Sequence, residues 1–385
     1  MHPALGIATS FAASWFLIAA LDFIASSKWR NSAHYHWTER ARLIFPARRT
    51  TPVNLIILTI CAVLFGWSYS VGYSFALVLF ALAAFTGGIL GAFPLERRIF
   101  AELTSRDWLA LSLQGWGSRA LLFGPLLIVG LMMPREWNWQ VAALAITFAI
   151  FYLWFGSTGY FQVLIWLQLL KPASNETLAL LEECFASTGV RPRAVRTMHS
   201  PHALAFAIPF RHELLFTNSF FEKLPPDQIK AVTFHELAHL TEDKFTGAKR
   251  LLSLLIFYPF IFIRPLFESW RFAGFIPIYI VFFSLLFIAI RLGKKMEHRA
   301  DAEAIARQTD EGAYARALET IYRVNLIPAV MSAKGQIHPH LYDRMTAAGL
   351  TPDFPRPKPP DTLHWTVIIP GLLLAFLMFG RVLNR

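Results

Sequence analysis

Cysteine is almost missing from this 385-residue chain, which holds only Cys61 and Cys184. Two such isolated residues build no disulfide framework, and neither stands in a C-x-x-C pair, so thiolate metal sites are poor candidates. Cys61 lies in an apolar run and Cys184 in a helical one, and both are expected to be buried free thiols. Charge is scarce too: Asp, Glu, Lys and Arg make up 16% of the residues, where soluble domains carry about a quarter. Acidic residues are the scarcer sign, 25 against 36 basic, for a formal net charge of +11. Basic motifs interleaved with aromatics are absent outside the loops between apolar runs, which leaves nucleic-acid binding without support. The N-terminal run lacks the basic start of a signal peptide and is too long for its apolar core. It is expected to be a retained membrane helix.

What the chain has instead is apolar bulk. Hydrophobic residues reach 55%, with 35 Phe and 12 Trp, and the mean hydropathy is +0.44. Spanning helices need about 20 mostly apolar residues. Candidate runs are 5–26, 53–71, 73–93, 118–134, 138–157, 251–267, 274–290 and 363–380. Asp22, Arg119 and Arg264 lie near the ends of these runs, where snorkelling to the interface is the expected arrangement and an internal polar cavity at Asp22 the alternative. The loop 27–52 carries Lys28, Arg30, Arg40, Arg42, Arg48 and Arg49, and the loop 94–119 carries Arg97, Arg98, Arg106 and Arg119. Alternate loops are nearly bare. The positive-inside rule then places the N-terminus outside and the segments 158–250 and 291–362 on the cytoplasmic side. Much of the positive charge is thus an orientation signal, with a contact to anionic lipid as a further use. The expected organisation is a five-helix membrane region (1–157), a first catalytic segment (158–250), a membrane hairpin (251–290) and a second catalytic segment (291–350). A stiff proline-rich linker (351–362) and a terminal apolar helix (363–385) follow. The last run is expected to span, with a re-entrant or surface helix as the alternative.

Between the membrane runs the pattern changes to that of a soluble domain. Residues 175–187 read as an amphipathic helix ending near Gly189, followed by short β-type runs at 193–198, 203–208 and 213–217. Leu224-Pro225-Pro226-Asp227 then opens a helix, with Asp227 suited to its first turn. The fold class is therefore mainly α: a polytopic membrane protein of 7–8 spans with a small α+β domain that carries a short sheet.

That last helix contains His235-Glu236-Leu237-Ala238-His239. Residues four apart stack on one helical face, so His235 and His239 can hold one ion, and Glu236 beside them can act as a general base. Alone, H-E-x-x-H also fits a helix with solvated polar residues. A second run, Glu297-His298-Arg299-Ala300-Asp301, offers Glu297 as a third ligand and Asp301 as an orienting carboxylate; alone, it fits a charge-decorated surface helix. The intervening runs 251–267 and 274–290 cross a bilayer and return, which brings both helices out on the same face. Three protein ligands leave one position for water, the mark of a catalytic rather than a structural zinc site. Beyond them, Ile337-His338-Pro339-His340-Leu341-Tyr342-Asp343-Arg344 offers a histidine or arginine to stabilise an oxyanion, or a turn with a structural Arg–carboxylate pair.

HELAH, a two-span hairpin, E-x-x-x-D and then H-P-x-x-x-x-R together resemble the integral-membrane zinc endopeptidases that include the CAAX prenyl protease 1 and HtpX types. The resemblance covers about 170–346. It implies a zincin-like catalytic domain with one Zn2+ per chain, bound by His235, His239 and Glu297. It further implies Glu236 as base, Asp301 as the carboxylate behind the ligands, and His338 and Arg344 at the active site. In such proteases a strand upstream of the zinc helix takes the substrate backbone by β-addition, which maps to Ala203, Leu204, Ala205 and Phe206. His202 stands where the family usually shows Asn. The expected partners are a peptide or membrane-protein substrate and the lipid bilayer. The expected location is a bacterial inner membrane with the site on the cytoplasmic side. The roles implied are CAAX-type processing or membrane-protein quality control. A metallopeptidase-type signal receptor and a non-catalytic zinc-binding scaffold are the competing readings.

Overall fold

Long apolar helices make up most of the structure, a computed structural model describing residues 3–69, 74–331 and 340–383. Among the described residues, five helical stretches are long and apolar enough to cross a membrane: Ala4–Ala25, Trp37–Trp67, Leu77–Ile99, Trp139–Trp166 and Thr246–Arg307. The expected run 118–134 falls in a further helix, Ser105–Met132, part of whose side chains lie outside the described set. The last apolar stretch, Trp365–Phe379, is shorter than these. Cys61 and Cys184 are free and buried, as expected.

The chain divides into two units. The first comprises Met1–Ser112, Tyr322–Ser332 and Asp353–Arg385. Within it, helices Pro3–Ala25 and Ser74–Ile99 pack at close range because glycines face the contact. A Cβ at Gly87 would lie 2.3 Å from the carbonyl oxygen of Phe11, and one at Gly91 would lie 2.4 Å from that of Trp15. Small residues at such crossings let apolar helices gain dispersion contacts where no hydrophobic drive exists. The snorkelling expected of Asp22 does not occur. Its side chain is buried and accepts a 2.7 Å hydrogen bond from Thr51 Oγ1 on the helix Trp37–Tyr69, which satisfies part of its hydrogen-bonding capacity inside the helix packing. Arg264, in the second unit, is half-buried and donates to the Met133 carbonyl at 3.2 Å.

The second unit, Leu113–Ile321 with Ala333–Pro352, holds a four-stranded sheet. Its strands are β1 (Leu170–Pro172), β2 (Ala194–Met198), β3 (Ala205–Ile208) and β4 (Glu213–Thr217), in the order β1-β2-β4-β3. The β2–β4 pair is parallel and the other two are antiparallel. β4 is buried along its whole length, as a central strand should be. The helix Asn175–Thr188 precedes β2. Ser174 caps it by accepting from Thr177 N, and Gly189 ends it at φ +67°, a left-handed position that costs glycine little.

The HELAH helix runs Pro226–Leu240, with proline in its first turn, where a missing N–H costs nothing, and Asp227 at the positive end of the dipole. Nearly all its residues are buried, so it is a core helix rather than a surface one. The chain then enters the helical stretch Thr246–Arg307, which reverses at Arg271 (φ +51°) and returns as one helix, Phe275–Arg307. That helix is 33 residues long, or about 50 Å at 1.5 Å per residue. A hydrocarbon core takes about 30 Å, so the same rod carries the apolar run and, beyond it, EHRAD. The return helix packs back along the outgoing arm and against the HELAH helix.

Candidate metal centre

The hairpin brings Glu297 onto the two histidines. His235 Nε2 lies 3.6 Å from Glu297 Oε2, and His239 Nε2 lies 3.6 Å from Glu297 Oε1. One candidate ligand atom from each of the three lies within 4.8 Å of the others. Ligand atoms on a tetrahedral ion with bonds of ~2.0–2.1 Å stand roughly 3.4 Å apart. The donor set and its spacing therefore fit a divalent ion such as zinc. His235 and His239 are buried, and the Glu297 side chain is 12% exposed.

The other imidazole nitrogens are turned away and held. His239 Nδ1 donates to Glu242 Oε1 at 3.1 Å, and Glu242 is fixed in turn by Arg250 Nη2 at 2.6 Å. His235 Nδ1 lies 2.8 Å from the Tyr314 hydroxyl and 3.1 Å from Asp301 Oδ1. Such outer partners set the tautomer and aim of a metal-binding histidine. Burial alone would depress the His235 imidazole, but hydrogen bonds to Asp301 and Glu297, with Glu236 close by, push it up to about 9.

Arg299, the middle residue of EHRAD, ties the two motif helices together. Its Nη2 donates to the Ala238 carbonyl at the end of the HELAH helix and to Thr241 Oγ1 at 2.8 Å. A guanidinium at a helix C-terminus satisfies orphan carbonyls and opposes the negative end of the dipole.

Glu236 is buried beside the three and faces the sheet. Its Oε2 accepts a 2.6 Å hydrogen bond from the backbone N–H of Ala207. The register explains that geometry. Thr217 N–H donates to the Leu204 carbonyl, so Leu204 points its backbone toward β4, and by antiparallel alternation Phe206 and Ile208 do the same. Ala205 and Ala207 direct theirs off the other edge of β3, toward Glu236. Of the four residues expected in the substrate strand, Ala205 and Phe206 lie in β3, whereas Ala203 and Leu204 precede it and Ala203 is fully buried.

Asp301 is reached from three sides. Arg344 donates through Nε to Oδ2 at 2.9 Å and through Nη2 to Oδ1, and the Tyr314 hydroxyl donates to Oδ1 at 2.6 Å. Arg344 is buried and also reaches the Tyr314 oxygen at 2.7 Å. It sits on the short helix Leu341–Ala347, and His340 is at that helix's start. His338 lies outside the described residues.

Residues 173–350 match the model of peptidase family M48. The segment is similar to the M48 peptidase domain. M48 is a zinc metalloprotease family that includes the CAAX protease and HtpX types, so the resemblance carried by the motifs holds, and over nearly the span expected. The M48 segment contains the sheet strands β2–β4, both motif helices and Arg344. No curated protein matches the chain.

Two partners escaped the sequence reading, Glu242 and Tyr314. Glu242 carried a usable signal, since it stands at i+3 from His239 and continues the face of the motif histidines. Tyr314 carried none, because 79 positions separate it from His235.

Proposed function

We propose that this M48 protein is a membrane-embedded zinc metalloendopeptidase that hydrolyses peptide bonds at the junction of the HELAH helix and the edge of β3. The observation that carries the reading is the convergence of His235, His239 and Glu297 with Glu236 held between them and a strand edge. In this reading His235 and His239, through Nε2, and Glu297 hold one zinc ion. Zinc there supplies a Lewis acid that polarises a carbonyl and acidifies water. Glu236 takes the proton from the attacking water and returns it to the leaving amine. Asp301 and Glu242 aim the imidazoles. Arg344 borders the site, where His338 is assigned by its motif alone, and with Nε and Nη2 of Arg344 committed to Asp301 and Tyr314, that guanidinium contributes its positive field and its hold on Asp301.

The substrate lies as an added strand along β3. Strand addition uses backbone groups that point off the sheet, so the register favours Ala205 and the carbonyl of Ala207, whose N–H is taken by Glu236, flanked by the half-exposed Phe206. The membrane helices supply embedding, with 1–157 and the hairpin 251–290 in the bilayer. The segments 158–250 and 291–350 lie on the cytoplasmic side of a bacterial inner membrane. CAAX-type processing and quality control of membrane proteins are the two roles that fit a peptide-cleaving site so placed.

The test uses the full chain in detergent or nanodiscs. Wild type and Glu236→Gln are incubated with a farnesylated CAAX peptide and with an unfolded membrane protein. The reading expects one zinc per chain in both proteins and cleavage by wild type alone. The cleaved substrate selects between the two roles. Cleavage undiminished in Glu236→Gln would refute the mechanism, and a folded wild-type chain that takes up zinc without cleaving anything would favour a scaffold.

A further inference from the structure

The Tyr314 hydroxyl touches three groups at hydrogen-bond distance: Asp301 Oδ1 at 2.6 Å, Arg344 Nη2 at 2.7 Å and His235 Nδ1 at 2.8 Å. Its residue is 1% exposed, so neither substrate nor bulk water reaches it. A phenol has one proton to give and two lone pairs to accept with. Arg344 only donates, and it takes one lone pair. Asp301, gripped by Arg344 through both carboxylate oxygens, is an anion and only accepts. An O···O⁻ separation of 2.6 Å requires a proton between the two oxygens, so the phenol's one proton goes to Asp301. The remaining lone pair faces His235 Nδ1, and it is satisfied only if that nitrogen carries a hydrogen. The opposite assignment, with the phenol donating to Nδ1, would leave two oxygens lone pair to lone pair at the shortest of the three contacts.

We propose that Tyr314 is a positioning residue of the metal centre: it fixes His235 as the Nδ1–H form, with the Nε2 lone pair aimed at the space shared with His239 and Glu297. The near-parallel tyrosine and imidazole rings, 20° apart with centroids at 5.7 Å, hold the ring plane as the hydroxyl holds its rotation. Asp301 is the more distant partner of Nδ1, at 3.1 Å against 2.8 Å for the hydroxyl. The carboxylate therefore acts on His235 partly through the phenol. His239 needs no such relay, because Glu242 receives its Nδ1–H directly. The inference rests on the proposed zinc-binding role of His235.

Tyr314→Phe tests it, because it removes one oxygen and leaves the ring and the Arg344–Asp301 pair in place. Zinc affinity is measured on the full-length chain by competition with a chelator, and kcat and KM at saturating zinc. The expected result is a loss of roughly 10- to 100-fold in zinc affinity, a lower kcat and an unchanged KM, with the zinc-free protein melting close to wild type. Equal zinc affinity and kcat in variant and wild type would overturn the inference while leaving the proposed function standing. A wild-type chain that binds no zinc would overturn both. Should the variant fail to fold, 15N-histidine spectra of the zinc-loaded wild type decide the matter. Zinc on Nε2 of His235 with hydrogen on Nδ1 is expected, and zinc on Nδ1 would overturn it.

Discussion

The backbone N–H of Ala207 donates a 2.6 Å hydrogen bond to the Glu236 carboxylate. One contact thus fixes the edge strand of the sheet against the HELAH helix. A residue whose N–H pointed toward β4 could not make it. The bond sets the height of β3 relative to Glu236, and in the proposed mechanism it sets where a strand-like substrate meets the base.

Proline scanning of β3 follows from that register. Ala207→Pro removes the N–H that reaches Glu236 but no ladder bond to β4, and edge strands tolerate proline at such positions. The expected outcome is a fall in kcat/KM of about 10-fold or more, with melting near wild type. Phe206→Pro removes an N–H that faces β4, so the melting temperature should fall by several degrees or more. Equal melting of the two variants would refute the assigned register.

Glu242 buries a carboxylate between His239 and Arg250. Glu242→Ala frees the imidazole to rotate and leaves Arg250 without that partner. Zinc affinity should drop by roughly 10- to 100-fold, measured by chelator competition. The double variant with Tyr314→Phe should lose more than either alone, since the two act on different histidines. An unchanged affinity in Glu242→Ala would remove it from the metal centre.

Much of this arrangement was legible in the sequence, because its determinants are local. His235 and His239 share a helical face by spacing alone, and the turn signals around Gly189 and Pro225-Pro226 mark element ends that the structure places there. The strands expected at 193–198, 203–208 and 213–217 form at Ala194–Met198, Ala205–Ile208 and Glu213–Thr217. Glu297 was legible at a distance only because the intervening chain reverses. β1 was missed, since Leu170–Pro172 is three residues long and ends in proline, too short for any periodicity. Asp22 was misplaced because a lone carboxylate near a helix end gives no sign of Thr51 on another helix. Tyr314 was invisible because its role exists only once three separate segments meet.

Glu213 makes the domain acid-sensitive. It is buried in β4 and accepts from Arg196 at 2.7 Å and from Arg211 at 2.8 Å. Burial opposes its charge, but the two guanidinium groups hold its carboxyl below the usual carboxylate range. A group depressed on folding contributes stability that is present above its unfolded pKa and lost as pH falls through its folded pKa. Melting in zinc-free buffer should therefore drop between neutral pH and the range below about 4, and Glu213→Gln should flatten that part of the profile while lowering stability at neutral pH. Superimposable profiles for the two proteins would contradict the assignment.

In the proposed site, a residue brought in by the hairpin completes the metal centre begun by HELAH. Zinc stoichiometry by elemental analysis of purified full-length wild type and Glu297→Gln, after dialysis against a weak chelator, tests it most directly. One zinc per wild-type chain is expected and a content well below that in the variant, with both proteins folded. A folded wild type without zinc, or full zinc occupancy in Glu297→Gln, would contradict it.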